Sequence, residues 1–115
     1  MKEKIKQLSE KYFTRFVELR RHIHANPELS WHETETSKLV LKTLSDLGLT
    51  VSQIQSDLGR TGVVGILKGK NPLAKCIALR ADMDALPITE ENQIDYCSKN
   101  KGVMHACGHD VHTSN

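Results

Sequence analysis

The sequence predicts an α/β layered domain, on three observations. Residues 3 to 47 carry two amphipathic helical patterns, the patterning changes to β-type from Thr50, and Lys75–Arg80 is apolar on both faces. Helices followed by strands, one of them buried on both sides, call for a sheet covered by helices. At 115 residues the chain is one domain at most, able to bury roughly two-thirds of its unfolded surface.

In the first helix Ile5, Leu8, Tyr12, Phe16, Leu19 and Ile23 recur at steps of three and four, with Lys and Glu on the other face. Asn26-Pro27 ends it, because the residue before proline is pushed out of the α region. Arg20, Arg21, His22 and His24 fall in its last turns, where positive charge suits the helix dipole. On this reading His22 and His24 decorate a helix end rather than ligate a metal. Ser30-Trp31-His32-Glu33 has capping-box spacing, so a second helix is expected from there to about Leu47. It would bury Leu39, Val40, Leu44 and Leu47, place His32 in solvent in its first turn, and stop at Gly48 in a left-handed conformation.

Val51–Ile54 then reads as a short edge strand, and Thr61–Lys68 as a clearer one, in which Gly62 and Gly65 permit a bulge or close approach. Gly69-Lys70-Asn71-Pro72 is turn chemistry. Lys75–Arg80 is expected to be a central strand, with Cys76 a buried apolar thiol. The polar stretch from Glu90 to Gly102 lacks periodicity and reads as a loop, with no role assigned to Cys97.

Composition excludes several function classes. The formal net charge is +2 with no basic run, so neither nucleic acid nor an acidic membrane is indicated as partner. The N-terminal residues have no apolar core of a signal peptide, and no long uncharged apolar run follows, so a cytoplasmic location is expected. Three cysteines without CxxC spacing argue against a disulfide framework.

Two clusters carry chemistry. Arg80-Ala-Asp82-Met-Asp84-Ala-Leu-Pro87 follows the expected central strand, where α/β sheets place ligand sites. Asp82 and Asp84 are two apart and share a side of an extended segment. Either a cation lies between them, or they bond backbone N–H groups in a turn with Arg80 as ion-pair partner. The second cluster is His105-Ala-Cys107-Gly-His109-Asp110-Val-His112. Cys107 and His109 can address one metal centre or two adjacent ions across Gly108, and thiolate with imidazole favours zinc or a similar borderline ion. Asp110 is placed to orient a ligating imidazole. His105 and His112 either bind substrate or metal, or hydrogen-bond within the loop. The bland alternative is a surface loop with incidental histidines.

Arg80–Pro87 together with Met104-His-Ala-Cys-Gly-His-Asp110 and His112-Thr113 resembles the metal-dependent amidohydrolases of the hippurate hydrolase type. Their relatives include N-acyl-amino-acid deacylases, N-acetyldiaminopimelate deacetylases and auxin-conjugate hydrolases, within a wider metallopeptidase superfamily. Arg20–Leu29 with Glu33 and Thr36, and Thr61–Gly65, are similar to the same family's upstream signatures. The resemblance implies a zinc-exopeptidase-like catalytic domain, of which residues 1–115 form the N-terminal portion, two helices then a mixed sheet. A smaller dimerisation domain would not be represented.

The resemblance further assigns Cys107 and His109 as ligands of a divalent transition metal, zinc or manganese, two ions in the complete enzyme. Asp84 matches the aspartate that supports the site, and Asp82 stands where the superfamily has histidine. Val111 departs from the small residue common at its position. The implied reaction is hydrolysis of the amide bond of small N-acyl amino acids by a full-length homo-oligomer. The family's downstream glutamate base and further glutamate and histidine ligands are not among these residues. The 115 residues by themselves are therefore expected to lack hydrolase activity. The rivals are a non-catalytic truncated fragment or interaction module, and a small structural zinc module that would need four closed ligands.

Overall fold

A computed structural model describes residues 1–53, 60–71, 73 and 75–115. Helix α1 spans Lys2–Ala25 and ends at Asn26, whose backbone (φ −128°, ψ 57°) has left the helix. The Asn26 side-chain amide donates to the His22 carbonyl at 2.7 Å, which helps satisfy the open helix end ahead of the buried Pro27. Ile23, His24 and Ala25 are buried, but Ile5, Leu8, Tyr12 and Phe13 on the N-terminal turns are exposed. The apolar stripe is real along its whole length, yet only its last turns meet the rest of the chain.

Helix α2 spans Thr34–Asp46, later than the capping-box spacing implied. Ser30 does not cap it. The carboxylate of Glu28 accepts the free N–H groups of Glu35 and Thr36 at 3.0 and 2.7 Å, doing from outside what an N-cap side chain does. Glu33 is buried and accepts the Thr61 hydroxyl at 2.7 Å. The intervening chain turns instead of coiling: Trp31 is left-handed (φ 69°), and His32 lies in a tight turn donating to the Leu29 carbonyl. The helix ends as expected. Gly48 has φ 81°, its N–H donates to the Ser45 carbonyl, and Leu49 N–H reaches back to Leu44, the Schellman arrangement. Leu39, Val40 and Leu44 are only half-buried and Leu47 is exposed.

Strand β1 (Thr50–Gln53) pairs antiparallel with β2 (Val63–Ile66), Thr50 opposite Ile66 and Gln53 opposite Val63. β1 begins one residue earlier than expected and β2 is shorter than expected, and Ile54 and Pro72 lie outside the described residues. Lys75–Arg80 is not a strand. Ile77 is 84% and Leu79 96% exposed, and Cys76 is an exposed free thiol. A central strand exists only when ladders form on both edges, and among the described residues nothing pairs with this one.

Sheet-like pairing resumes where the chain carries its chemistry. Leu29 bridges Ala85 in parallel and Leu86 bridges Met104 antiparallel, so the 85–86 segment lies between the end of the first helical arm and the approach to residue 105. Ala85 N–H donates to the Glu28 carbonyl, and Leu86 and Met104 exchange both backbone bonds at 2.9 and 3.0 Å. Residues 90–102 form neither helix nor strand, but Lys99 N–H and the Asn100 amide donate to the Ala25 and Pro27 carbonyls, tying the loop to the end of α1. Helix α3 (His109–Ser114) follows and packs against α1. Among the described residues no helix is long and apolar enough to cross a membrane.

Candidate metal centre

The turn into α3 presents Cys107 and His109. Gly108 between them has φ 81°, a left-handed conformation that L side chains adopt at a cost, and it serves as N-cap of the helix. Cys107 is exposed, a free thiol. The His109 ring is held from behind: its Nδ1 lies 2.9 Å from the Asp84 carbonyl and 3.0 Å from Asp84 Oδ1. Both partners are acceptors, so Nδ1 carries the proton and the Nε2 lone pair is left for a ligand, the usual way a metal-binding imidazole is oriented. Asp84 thus stands directly behind His109.

The other sequence candidates part company. Asp82 forms an exposed ion pair with its neighbour Arg80, at 3.0 and 2.8 Å, and its carbonyl accepts the Thr113 hydroxyl at 2.9 Å. The two carboxylates thus each have a separate protein partner, Arg80 for Asp82 and His109 for Asp84. His112 is exposed with its ring 6.3 Å from that of His109. His105 is buried, and neither ring nitrogen has a hydrogen-bond partner among the described residues. Burial holds its pKa below the ordinary histidine value, with His24 and His109 acting in the same direction against the opposing charges of Asp110 and Asp84.

Asp110 does not face His109. Its side chain is fully buried, and Oδ2 accepts from Arg20 Nε at 2.8 Å and lies 2.7 Å from His24 Nδ1. The other nitrogen of His24 is 3.0 Å from Glu90 Oε1, so the imidazole spans two carboxylates and satisfies both only by donating twice. Arg20 Nη2 also lies 3.3 Å from His24 Nδ1, but the shorter carboxylate contact takes that proton. Glu90 is fastened further by the Asn92 amide at 3.0 Å and the Ser98 N–H at 2.5 Å. Burial raises its pKa, but these bonds and His24 outweigh it and hold the carboxyl at about 2. The Tyr96 ring closes the cluster, 5.1 Å from the Arg20 guanidinium and 4.8 Å from that of Arg21, and stands nearly perpendicular to the His24 ring.

His24 thus joins two buried carboxylates, with Arg20 on the Asp110 side. His24 is therefore no helix-end decoration. The signal for it was present in the sequence: Arg20 and His24 are four apart on one helical face, where like charges repel unless an anion lies between them. Nothing in the sequence said which anion.

Among the described residues no three His, Cys, Asp or Glu side chains converge to hold a metal ion. Cys107 and His109 form at most half of a site. Residues 78–115 match the model of the peptidase family M20/M25/M40. Over 114 residues the chain is 48% identical to an N-acyl-L-amino acid amidohydrolase of Geobacillus stearothermophilus, covering 98% of this chain and 30% of that protein. Residues 78–115 thus match this peptidase family, and nearly the whole chain is similar to the N-terminal part of that amidohydrolase. Family relatives include a hippurate hydrolase of Campylobacter jejuni, 50% identical over 86% of this chain and 25% of its own length. In structure the chain superposes on the YXEP protein of Bacillus subtilis, titled a dinuclear metal-binding peptidase of the M20 family. The TM-score is 0.84 at 41% identity, covering 91% of this chain and 29% of that one. The chain thus spans less than a third of the length of these relatives, and within that span it has the family's α/β fold.

Proposed function

We propose that residues 1–115 are the N-terminal portion of the catalytic domain of an enzyme that hydrolyses the amide bond of small N-acyl amino acids with the help of divalent transition metal. The observation that carries this reading is the His109 ring, proton held at Nδ1 by Asp84 and Nε2 left free, one left-handed glycine away from the Cys107 thiol. Thiolate and imidazole together suit zinc and similar borderline ions and poorly suit magnesium or calcium, whereas manganese would need oxygen donors from the remaining ligands. The donor set fits as a part: catalytic zinc takes roughly three protein ligands, and two are here.

A metal ion held there supplies the Lewis acidity that amide hydrolysis requires. The chain's own residues prepare the ligands. Asp84 fixes the His109 tautomer and ring plane, and Gly108 sets the separation of thiol and imidazole. The Asp110 carboxylate fastens the first turn of α3 to α1. A proton-transferring base and the remaining ligands are expected outside these residues, together with the surfaces that would make the full protein a homo-oligomer.

The test is a chimera in which this chain replaces the matching segment of the Geobacillus amidohydrolase. Hydrolysis of hippurate and N-acetyl amino acids is expected, sensitive to chelator and abolished by Cys107→Ser or His109→Ala. A folded, metal-loaded chimera inactive on both substrates sinks the reading, as does one indifferent to the two substitutions. The isolated chain should show no turnover, and chelator-sensitive hydrolysis by it would contradict the division of labour just described.

A further inference from the structure

The cluster around His24 adjoins the half-site through Asp110, and its other members have no part in the proposed chemistry. Its geometry has a consequence for that half-site. Among the described residues Cys107 has no side-chain tether of its own, so its place is set by the chain on either side of it. On the C-terminal side, α3 is only six residues long, too short to be stable alone. Among the described residues, side-chain bonds from its first turn run to Asp84 through His109, and to Arg20 and His24 through Asp110. On the N-terminal side, Glu90 holds the Ser98 N–H, and the Ser98 hydroxyl donates to the Val103 carbonyl at 2.7 Å, next to the Leu86–Met104 bridge. Asp110 and Glu90 are the ends of these two lines, and both close on the same imidazole.

We propose that His24, by bridging Asp110 and Glu90, is the positioning residue that sets the spacing of Cys107 and His109. The inference rests on the reading of that pair as a metal half-site. His24 is well placed for the task because it sits in the last turn of a long helix, 3% exposed, and cannot swing away to water. Arg20 shares Asp110 but reaches only that arm, and it is partly exposed. Among the described residues only His24 joins both. It touches neither the half-site donors nor, on this geometry, a substrate, so its effect passes entirely through Asp110 and Glu90.

The experiment uses the whole chain and two readouts. In the metal-free protein, histidine ring nitrogen shifts measured by NMR report the His109 tautomer. In a cobalt(II) titration, the thiolate-to-cobalt absorption band reports the Cys107 bond. The wild type is expected to show one Nδ1-protonated His109 and a cobalt band that Cys107→Ser removes. His24→Gln keeps one donor but cannot bridge. It should average the His109 tautomers, weaken cobalt binding by about 10-fold, the lower end of effects through supporting residues, and reduce the band per bound ion. A merely structural role would lower the melting temperature and leave the tautomer and the band of the folded, saturated protein unchanged; that result overturns the proposal while leaving the half-site standing. Absence of a thiolate band in the wild type overturns the half-site and this inference with it. Should His24→Gln fail to fold by circular dichroism, Glu90→Gln, which loosens one arm only, must move both readouts in the same direction, and an unchanged Glu90→Gln protein refutes the bridge.

Discussion

Removing the Asp110 carboxylate tests the arrangement most directly. Asp110 is completely buried and holds two partners, Arg20 at 2.8 Å and His24 at 2.7 Å. Breaking a buried pair by deleting one partner generally costs about 3–5 kcal/mol, since the remaining charge stays buried without compensation. Here the cost divides unevenly. Arg20 is 29% exposed and can turn to water, so its contact is discounted toward the surface value. The His24 side chain is 4% exposed and cannot, so Asp110→Ala should cost about 3 kcal/mol, the low end of that range. Asp110→Asn can place its amide oxygen where Oδ2 accepts both donors. Its NH2 then falls at Oδ1, which has no hydrogen-bond partner among the described residues. The charge assistance is lost and the buried amide N–H groups find no acceptor, about 2 kcal/mol together, still less than the Ala variant. The assay is the urea midpoint at constant slope. An Asn variant as damaged as the Ala variant, or an Ala variant within about 1 kcal/mol of wild type, would mean that the cluster is solvated and organises nothing.

Three further outcomes follow from individual contacts. The Glu90 carboxyl, held at about 2 against an ordinary 4.5, stabilises the fold fully above pH 4.5 and loses that contribution as pH falls toward 2; acid titration of stability should be visibly shallower in Glu90→Gln, and an unchanged acid limb would contradict the assignment. Glu28→Ala removes the acceptor for Glu35 and Thr36 N–H groups and should destabilise α2 by about 1 kcal/mol, read by urea denaturation followed by circular dichroism, whereas Ser30→Ala should be nearly silent. At Gly108 an added Cβ meets open space, so Gly108→Ala should cost only the left-handed backbone penalty of about 1–2 kcal/mol in thermal unfolding; a much larger loss would mean a steric role for the glycine.

Local chemistry was legible in the sequence wherever a residue's neighbours along the chain decide its state. Helical spacing and Asn26-Pro27 located α1, Gly48 marked the Schellman stop, and Gly108 marked the left-handed turn between Cys107 and His109. These outcomes depend on backbone preference and on contacts a few residues away. What failed were inferences requiring a distant partner. Ser30 had the spacing of a cap, but Glu28 already supplied an acceptor in the right place. Lys75–Arg80 had the composition of a buried strand, but burial requires edges to pair with, and none lies among the described residues. Tertiary structure alone decided that Asp84, not Asp110, stands behind His109, and that Asp110 belongs to His24 and Arg20. Hydrogen bonds across 25, 86 and 90 positions of sequence leave no periodic trace, because the alignment that creates them comes from the packing of whole elements.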